Sequence, residues 1–372
     1  MTKFPHRYDL VGSFLRPTSL KTENEAQQAG KLSLAQTVAL THQAIDDVVD
    51  KQVAAGFKAV TDGEFSRQYW HLDFLWGLQN VTKVQHADYA RNFVGNINAA
   101  DNVTLTGPIG YNPNHPFFDA FSYLQSIVPA GVVAKQTIPS PALLLRDHRS
   151  DNWRKYYPTV DAYYDAVIEA YSRTIQHFYA LGCRYLQIDD TNWAYLIDNL
   201  QKTEGDPAAQ QPFIELAEAA HYLLQGVLAK APADLTITSH ICRGNFQSTF
   251  LFTGGYQYVA DYIKDLPYAG LFLEYDTERA GGFEPLATLW NHDPNKRIVL
   301  GLITSKFAEL ETPEALQARV QAATKFVPLE NLALSTQCGF ASTEEGNKVS
   351  ESDQWAKLNL VREVAQSIWP EA

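Results

Sequence analysis

Thr236-Ile-Thr-Ser-His-Ile-Cys-Arg-Gly-Asn245 opens as a β-strand and closes on two side chains able to ligate a metal, His240 and Cys242. Residues two apart on an extended backbone share a face, so this spacing brings an imidazole and a thiol toward one point. On either side of this stretch the chain alternates short apolar strands with amphipathic helices. Before it, Tyr8–Ser13, Ala59–Gly63, Lys135–Ser140 and Tyr185–Asp189 read as strands. After it come Gly270–Tyr275, Arg297–Ile303 and Leu332–Thr336. Helices are expected over Ser33–Ala55, Tyr157–Leu181, Pro313–Phe326 and Gln354–Ile368, among others.

Several strands are apolar on both faces, as a parallel sheet covered on both sides requires. Eight strand-and-helix units in 372 residues predict an α/β fold of the (β/α)₈ TIM-barrel type rather than a doubly wound open sheet. Residues 1–372 then form a single zinc-binding TIM-barrel catalytic domain. Residues 80–133, rich in Asn, Gly, Pro and aromatics, form a long insertion after strand 2, a hairpin plus a helix near Phe117–Ile127 that serves as lid or binding wall.

Composition narrows the partners. A net charge of −12 gives a nucleic-acid partner little electrostatic support. Met1–Leu10 carries no apolar core of signal-peptide length, and no run approaches the ~20 apolar residues that span a bilayer. Three cysteines without a secretory signal point to a reducing cytoplasm and not to a disulfide framework. The composition also leaves room for a homo-oligomer.

The active site of a (β/α)₈ barrel lies at the C-terminal ends of its strands. The polar residues expected there are Ser13, Glu64, Ser140, Asp189 with Asp190, His240 with Cys242, Glu274, Thr304 to Lys306, and Cys338. His240, Cys242 and Cys338 are nitrogen and sulfur ligands suited to Zn²⁺, with Glu274 as a fourth. Two thiolates and a carboxylate make the ion a poor activator of water but a good cradle for a further thiolate, so alkyl transfer onto sulfur is the best-matched chemistry. Glu64 and Asp189 suit a cationic group such as an α-amino group, and Ser13 a carboxylate. Arg243 is a candidate either to pair with a nearby Glu or Asp or to bind an anionic group of the substrate. The aromatics around Gln68–Trp76 and Tyr111–Tyr123 are expected to pack, and Cys183, ahead of its strand, to be structural.

Taken in order, Val11-Gly-Ser-Phe14, Asp62-Gly-Glu64, Gln187-Ile-Asp189, His240-Ile-Cys242, Glu274 and Gln337-Cys-Gly339 resemble the catalytic domain of cobalamin-independent methionine synthase, in its short single-barrel form. The resemblance implies that His240, Cys242, Glu274 and Cys338 hold zinc, and that Ser13, Glu64 and Asp189 hold homocysteine by its amino and carboxylate groups. It further implies that the homocysteine sulfur takes the methyl group of methyltetrahydrofolate or another small donor, giving methionine.

Two positions depart from that family. After the seventh strand the family carries a proton-donating histidine where this chain has Gly301-Leu-Ile-Thr-Ser-Lys306, so Lys306 becomes a candidate catalytic group beside Glu64 and Asp189, either as general acid or as the partner of a different donor's anionic group. At the third strand end, Ile138-Pro-Ser-Pro141 replaces a tryptophan thought to contact the pterin. The thiol half of the site is therefore expected intact and the donor half altered. The alternative function is a zinc-dependent lyase or hydrolase on the same barrel, acting on a different small substrate.

Overall fold

A computed structural model describes residues 4–22, 30, 32–86 and 100–371. Seven parallel strands form one curled sheet in the order β1 (Ala59–Val60), β4 (Val133–Pro139), β5 (Tyr185–Asp189), β6 (Thr236–Ile241), β7 (Gly270–Glu274), β8 (Arg297–Ile303) and β9 (Leu332–Thr336). After β1 every neighbour in the sheet is the next parallel strand in sequence. Between successive members lie the helices that cover the outer face, including α4 (Val160–Ala180), α6 (Pro207–Ala229), α9 (Pro313–Ala323) and α10 (Glu351–Ile368). Strands β7 and β8 are buried at every position, which explains why they are apolar apart from Glu274 at the end of β7 and Arg297 at the start of β8.

Helix starts follow local chemistry. Ser33 and Ser350 each form a capping box, with Gln36 and Asp353. The side chains of Thr159 and Thr312 each accept the N–H three residues on, and Pro313 fills the first turn behind Thr312.

Tyr8–Ser13, expected as the first strand, pairs differently. Tyr8 forms an isolated parallel bridge with Leu334 of β9, the Asp9 N–H donates to Leu334 O, and the Phe14 N–H donates to Gly63 O beyond β1. The segment therefore touches both edges of the sheet. Three of its carbonyls go to side chains instead of a strand ladder: Leu10 O accepts from Lys135 Nζ, Val11 O from Gln187 Nε2 at 2.7 Å, and Gly12 O from the Thr61 hydroxyl at 2.5 Å. Side-chain donors on β4 and β5 and just after β1 thus take the bonds a regular strand would give its neighbour.

Between β1 and β4 runs an antiparallel pair, β2 (Gln79–His86) with β3 (Ala100–Gly110), followed by the helix Pro116–Ile127. Residues 87–99, part of the expected excursion, lie outside the described residues.

Register places the site. Pro139 pairs with Asp189 and Asp189 with His240, so three adjacent strands end level. Gly301 in β8 permits close approach there: a Cβ would stand 2.9 Å from Gln337 Cα and 2.9 Å from Leu273 O.

Candidate metal and substrate site

His240 is the penultimate residue of β6, Cys242 directly follows the strand, and Cys338 lies just beyond β9. The curl of the sheet brings these ends together across its mouth. One ligand atom from each of the three lies within 4.8 Å of the others, and all three residues are buried. His240 is held from two sides, with Nδ1 3.5 Å from Asp189 Oδ1 and Nε2 3.3 Å from Gln337 O. Burial, reinforced by Lys135, pushes its pKa down to about 3, so the imidazole is neutral and has a lone pair to offer.

The two thiols share a hydrogen bond. It pulls Cys242 below the ordinary thiol value and pushes Cys338 well above it. A cation at that point would replace the proton and let both sulfurs ionise. One nitrogen and two sulfurs this close, buried and free of disulfides, fit a zinc-type ion.

Glu274 stands behind this group and does not join it. Its Oε1 accepts from Arg279 Nε at 2.9 Å and Nη2 at 2.6 Å. Its Oε2 accepts from the Arg243 N–H at 2.9 Å and Gln337 Nε2 at 3.2 Å. Burial alone would raise its pKa, but Lys306, Arg279 and Arg243 outweigh burial and leave the carboxyl below its usual range. The expected fourth ligand is thus occupied by guanidinium and amide donors.

The sulfurs and His240 form part of the wall of a cavity of about 590 Å³, together with Ser13, Glu64 and Asp189. Glu64 sits on a left-handed backbone (φ 63°) directly after Gly63, which aims its carboxylate inward. It accepts from the Thr137 hydroxyl at 2.9 Å and lies 3.4 Å from Arg67 Nη1. Burial nevertheless raises its pKa, and burial together with the Glu64 charge raises Asp189 well above the carboxylate range. Two dry carboxylates that oppose each other's ionisation suit a cationic ligand group between them. Ser13 Oγ accepts the Ala341 N–H at 3.2 Å. A Cβ at Gly339 would stand 2.0 Å from that oxygen, so only glycine fits there.

Two expected site residues face elsewhere. Arg243 is fully buried and outside the cavity lining. Its guanidinium donates to Gly254 O at 2.6 Å, Glu274 O at 3.1 Å and the Tyr256 hydroxyl at 3.0 Å, and it lies over the Tyr256 ring. It ties the β6 and β7 ends to a loop and has no donor left for substrate in the cavity. Lys306 also lies outside the lining, is 1% exposed, and its Nζ has no hydrogen-bond partner among the described residues.

Other lining residues went unforeseen. Tyr69 and Trp70, expected to pack, line the cavity, as do Asp101 and Asn102 of β3, Arg146 and Arg149. Gln337, quoted in the family pattern without a role, connects His240, Glu274 and the Ser305 hydroxyl. Its place directly before Cys338 was the available signal.

An α/β sheet with a buried nitrogen-and-sulfur donor group at its strand ends, beside a cavity holding two carboxylates, defines an enzyme built for small-molecule chemistry at a metal-capable centre. Residues 154–367, more than half of the chain, match the family described as the catalytic domain of cobalamin-independent synthase. Two proteins of Bacillus subtilis (strain 168), the uncharacterized proteins YxjH and YxjG, are 40% and 41% identical, each over 99% of this chain and 96% of their own. A structure of a putative vitamin-B12-independent methionine synthase from Listeria monocytogenes is 36% identical, with a TM-score of 0.77 and 99% of each chain covered. A B12-independent methionine synthase from Shewanella sp. W3-18-1 is 18% identical with a TM-score of 0.70, a likeness of fold. The chain belongs to the cobalamin-independent methionine synthase family and is a methyltransferase of that family. No helix among the described residues is long and apolar enough to cross a membrane.

Proposed function

We propose that this chain is a zinc-dependent methyltransferase that places a methyl group on the thiol of homocysteine, giving methionine, with methyltetrahydrofolate or another small molecule as donor. One observation carries the reading: the His240, Cys242 and Cys338 ligand atoms lie within 4.8 Å of one another on the wall that also presents Glu64 and Asp189. In this reading residues 1–372 are one (β/α)₈ domain with Tyr8–Ser13 as the remaining stave, and residues 80–133 serve as its lid. Reduced cysteines fit a cytoplasmic setting.

His240, Cys242 and Cys338 would hold the zinc. Glu274 would join as a fourth ligand by releasing Arg279 or Gln337. When bound, the ion supplies a Lewis acid that keeps a substrate thiol ionised near neutral pH. The chain's own residues do the rest. Glu64 and Asp189 bind the α-ammonium and ionise around it. Ser13 and the backbone beside it orient the carboxylate. Burial of the sulfur end keeps water from competing for the transferred methyl group.

The test combines metal analysis with product detection. Purified protein is expected to hold one zinc per chain and, with homocysteine and a panel of methyl donors, to yield methionine by mass spectrometry. Absence of stoichiometric zinc, or turnover that persists after the metal is stripped, would overturn the reading.

A further inference from the structure

Lys306 presents a physical problem. Burying an ammonium without a partner costs several kcal/mol, so a native protein that keeps one has an answering charge nearby. The backbone fixes where the group lies. Next to it, the Ser305 hydroxyl donates to Gln337 Oε1 at 2.5 Å, its N–H reaches the same oxygen at 3.3 Å, and Asn347 donates to Ser305 O at 2.8 Å. Lys306 is thereby stitched against the Gln337-Cys338-Gly339 turn, where its charge acts on Cys242, Cys338, Glu274 and Asp276.

Charges at this end can be matched one against another. Glu274 and Asp276 are answered by Arg279, which contacts both at 2.6 and 2.7 Å, and by Arg243, which donates to the Glu274 backbone. Two cysteine thiolates are answered by a dication. The ammonium of Lys306 adds a further positive charge here, with no hydrogen-bond partner of its own among the described residues.

We propose that Lys306 is a positioning residue for the sulfur end: its buried ammonium balances the charge that a substrate-borne thiolate brings to the His240, Cys242 and Cys338 group. It thereby selects an anionic sulfur ligand over a neutral oxygen one. This rests on the metal-and-thiol reading above. It replaces the role of general acid, because Lys306 is buried and is not among the residues that line the cavity where a donor would sit.

The test uses Co²⁺-loaded protein, titrated with homocysteine and separately with homoserine, its oxygen counterpart. The thiolate-to-cobalt absorption band reports the sulfur, and calorimetry reports homoserine. Lys306→Met is expected to weaken homocysteine binding at least tenfold, to leave homoserine within twofold, and to be rescued by Lys306→Arg. Lys306→Gln keeps a polar end in the same space and serves if the Met variant does not fold. Unchanged homocysteine affinity, equal loss for both ligands, or a fall in turnover alone would overturn the proposal. Failure of the parent reading looks different, since the unmodified protein would then show no band with homocysteine.

Discussion

The two walls of the cavity are held by different physics. The sulfur wall, at the ends of β6 to β9, is a lattice of buried charges and amides in which Arg279, Arg243, Gln337 and Ser305 each satisfy groups on two or more elements. The far wall, lined by Tyr69, Trp70, His71 and Leu72 with Asp101 and Asn102 of β3, is backed by aromatic packing: Phe74, Phe117, Phe118, Phe121 and Phe178 pack together, with one buried histidine among them. Apolar packing tolerates exchange of similar volumes, whereas a buried charge network fails when one member is removed. The sulfur wall should therefore respond steeply to single substitutions and the far wall mildly.

The largest effect expected is on metal. Cys338→Ser replaces a thiolate with a hydroxyl that stays protonated, and zinc affinity measured by chelator competition should fall at least ~10³-fold. Near-normal affinity would remove Cys338 from the ligand set. Arg243→Ala comes next. It leaves Gly254 O and Glu274 O without a charged donor in a dry environment, so unfolding free energy should drop by about 3 kcal/mol, with zinc stoichiometry retained. A variant of native stability with impaired substrate binding would return Arg243 to the substrate list. Third, Asp189→Asn should weaken homocysteine binding by roughly 10–100-fold and leave a thiol lacking the amino group almost unaffected. Equal losses for both thiols would deny the carboxylate its role at the ammonium.

The same contrast governs what could be read from the chain alone. Tyr185–Asp189, Arg297–Ile303 and Leu332–Thr336 match the structure residue for residue, because buried parallel strands leave short apolar runs. His240, Cys242 and Cys338 were legible for the same reason, as polar residues at the ends of such runs. Tyr8–Ser13 was not, since whether a carbonyl meets a strand or the side chains of Lys135, Gln187 and Thr61 depends on residues far along the chain. Arg243, Glu274 and Lys306 show the same limit. A sequence shows that a charge is present, but only packing shows that Arg279 takes Glu274 or that Lys306 is buried outside the cavity lining. The aromatics of the far wall erred in the other direction, because Tyr69 and Trp70 are as apolar as their packed neighbour Phe74 yet face the cavity.

His115 offers the mildest test, and it lies in the far wall. Its Nε2 is 2.9 Å from Phe74 O and its Nδ1 accepts the Phe117 N–H at 3.2 Å, an arrangement that only a neutral ring protonated at Nε2 satisfies. Burial lowers its pKa to about 4, and the nearby Arg67 acts in the same direction. The ring cannot swing away on the Gly77 side, where even a Cβ would come within 2.3 Å of it. In the unfolded chain the imidazole takes up a proton near its ordinary value of 6.5, while the native protein does not until about pH 4. Across that window the unfolded state binds more protons, so stability falls as pH is lowered from about 6.5 and levels off near 4. Other groups titrate in the same range, so the quantity to follow is the difference between the unmodified protein and His115→Gln in urea unfolding. That difference should shrink by about 1–2 kcal/mol on going from pH 7 to pH 4.5. Parallel curves would show that the ring shifts enough to accept its proton, and that the far wall yields where the sulfur wall would break.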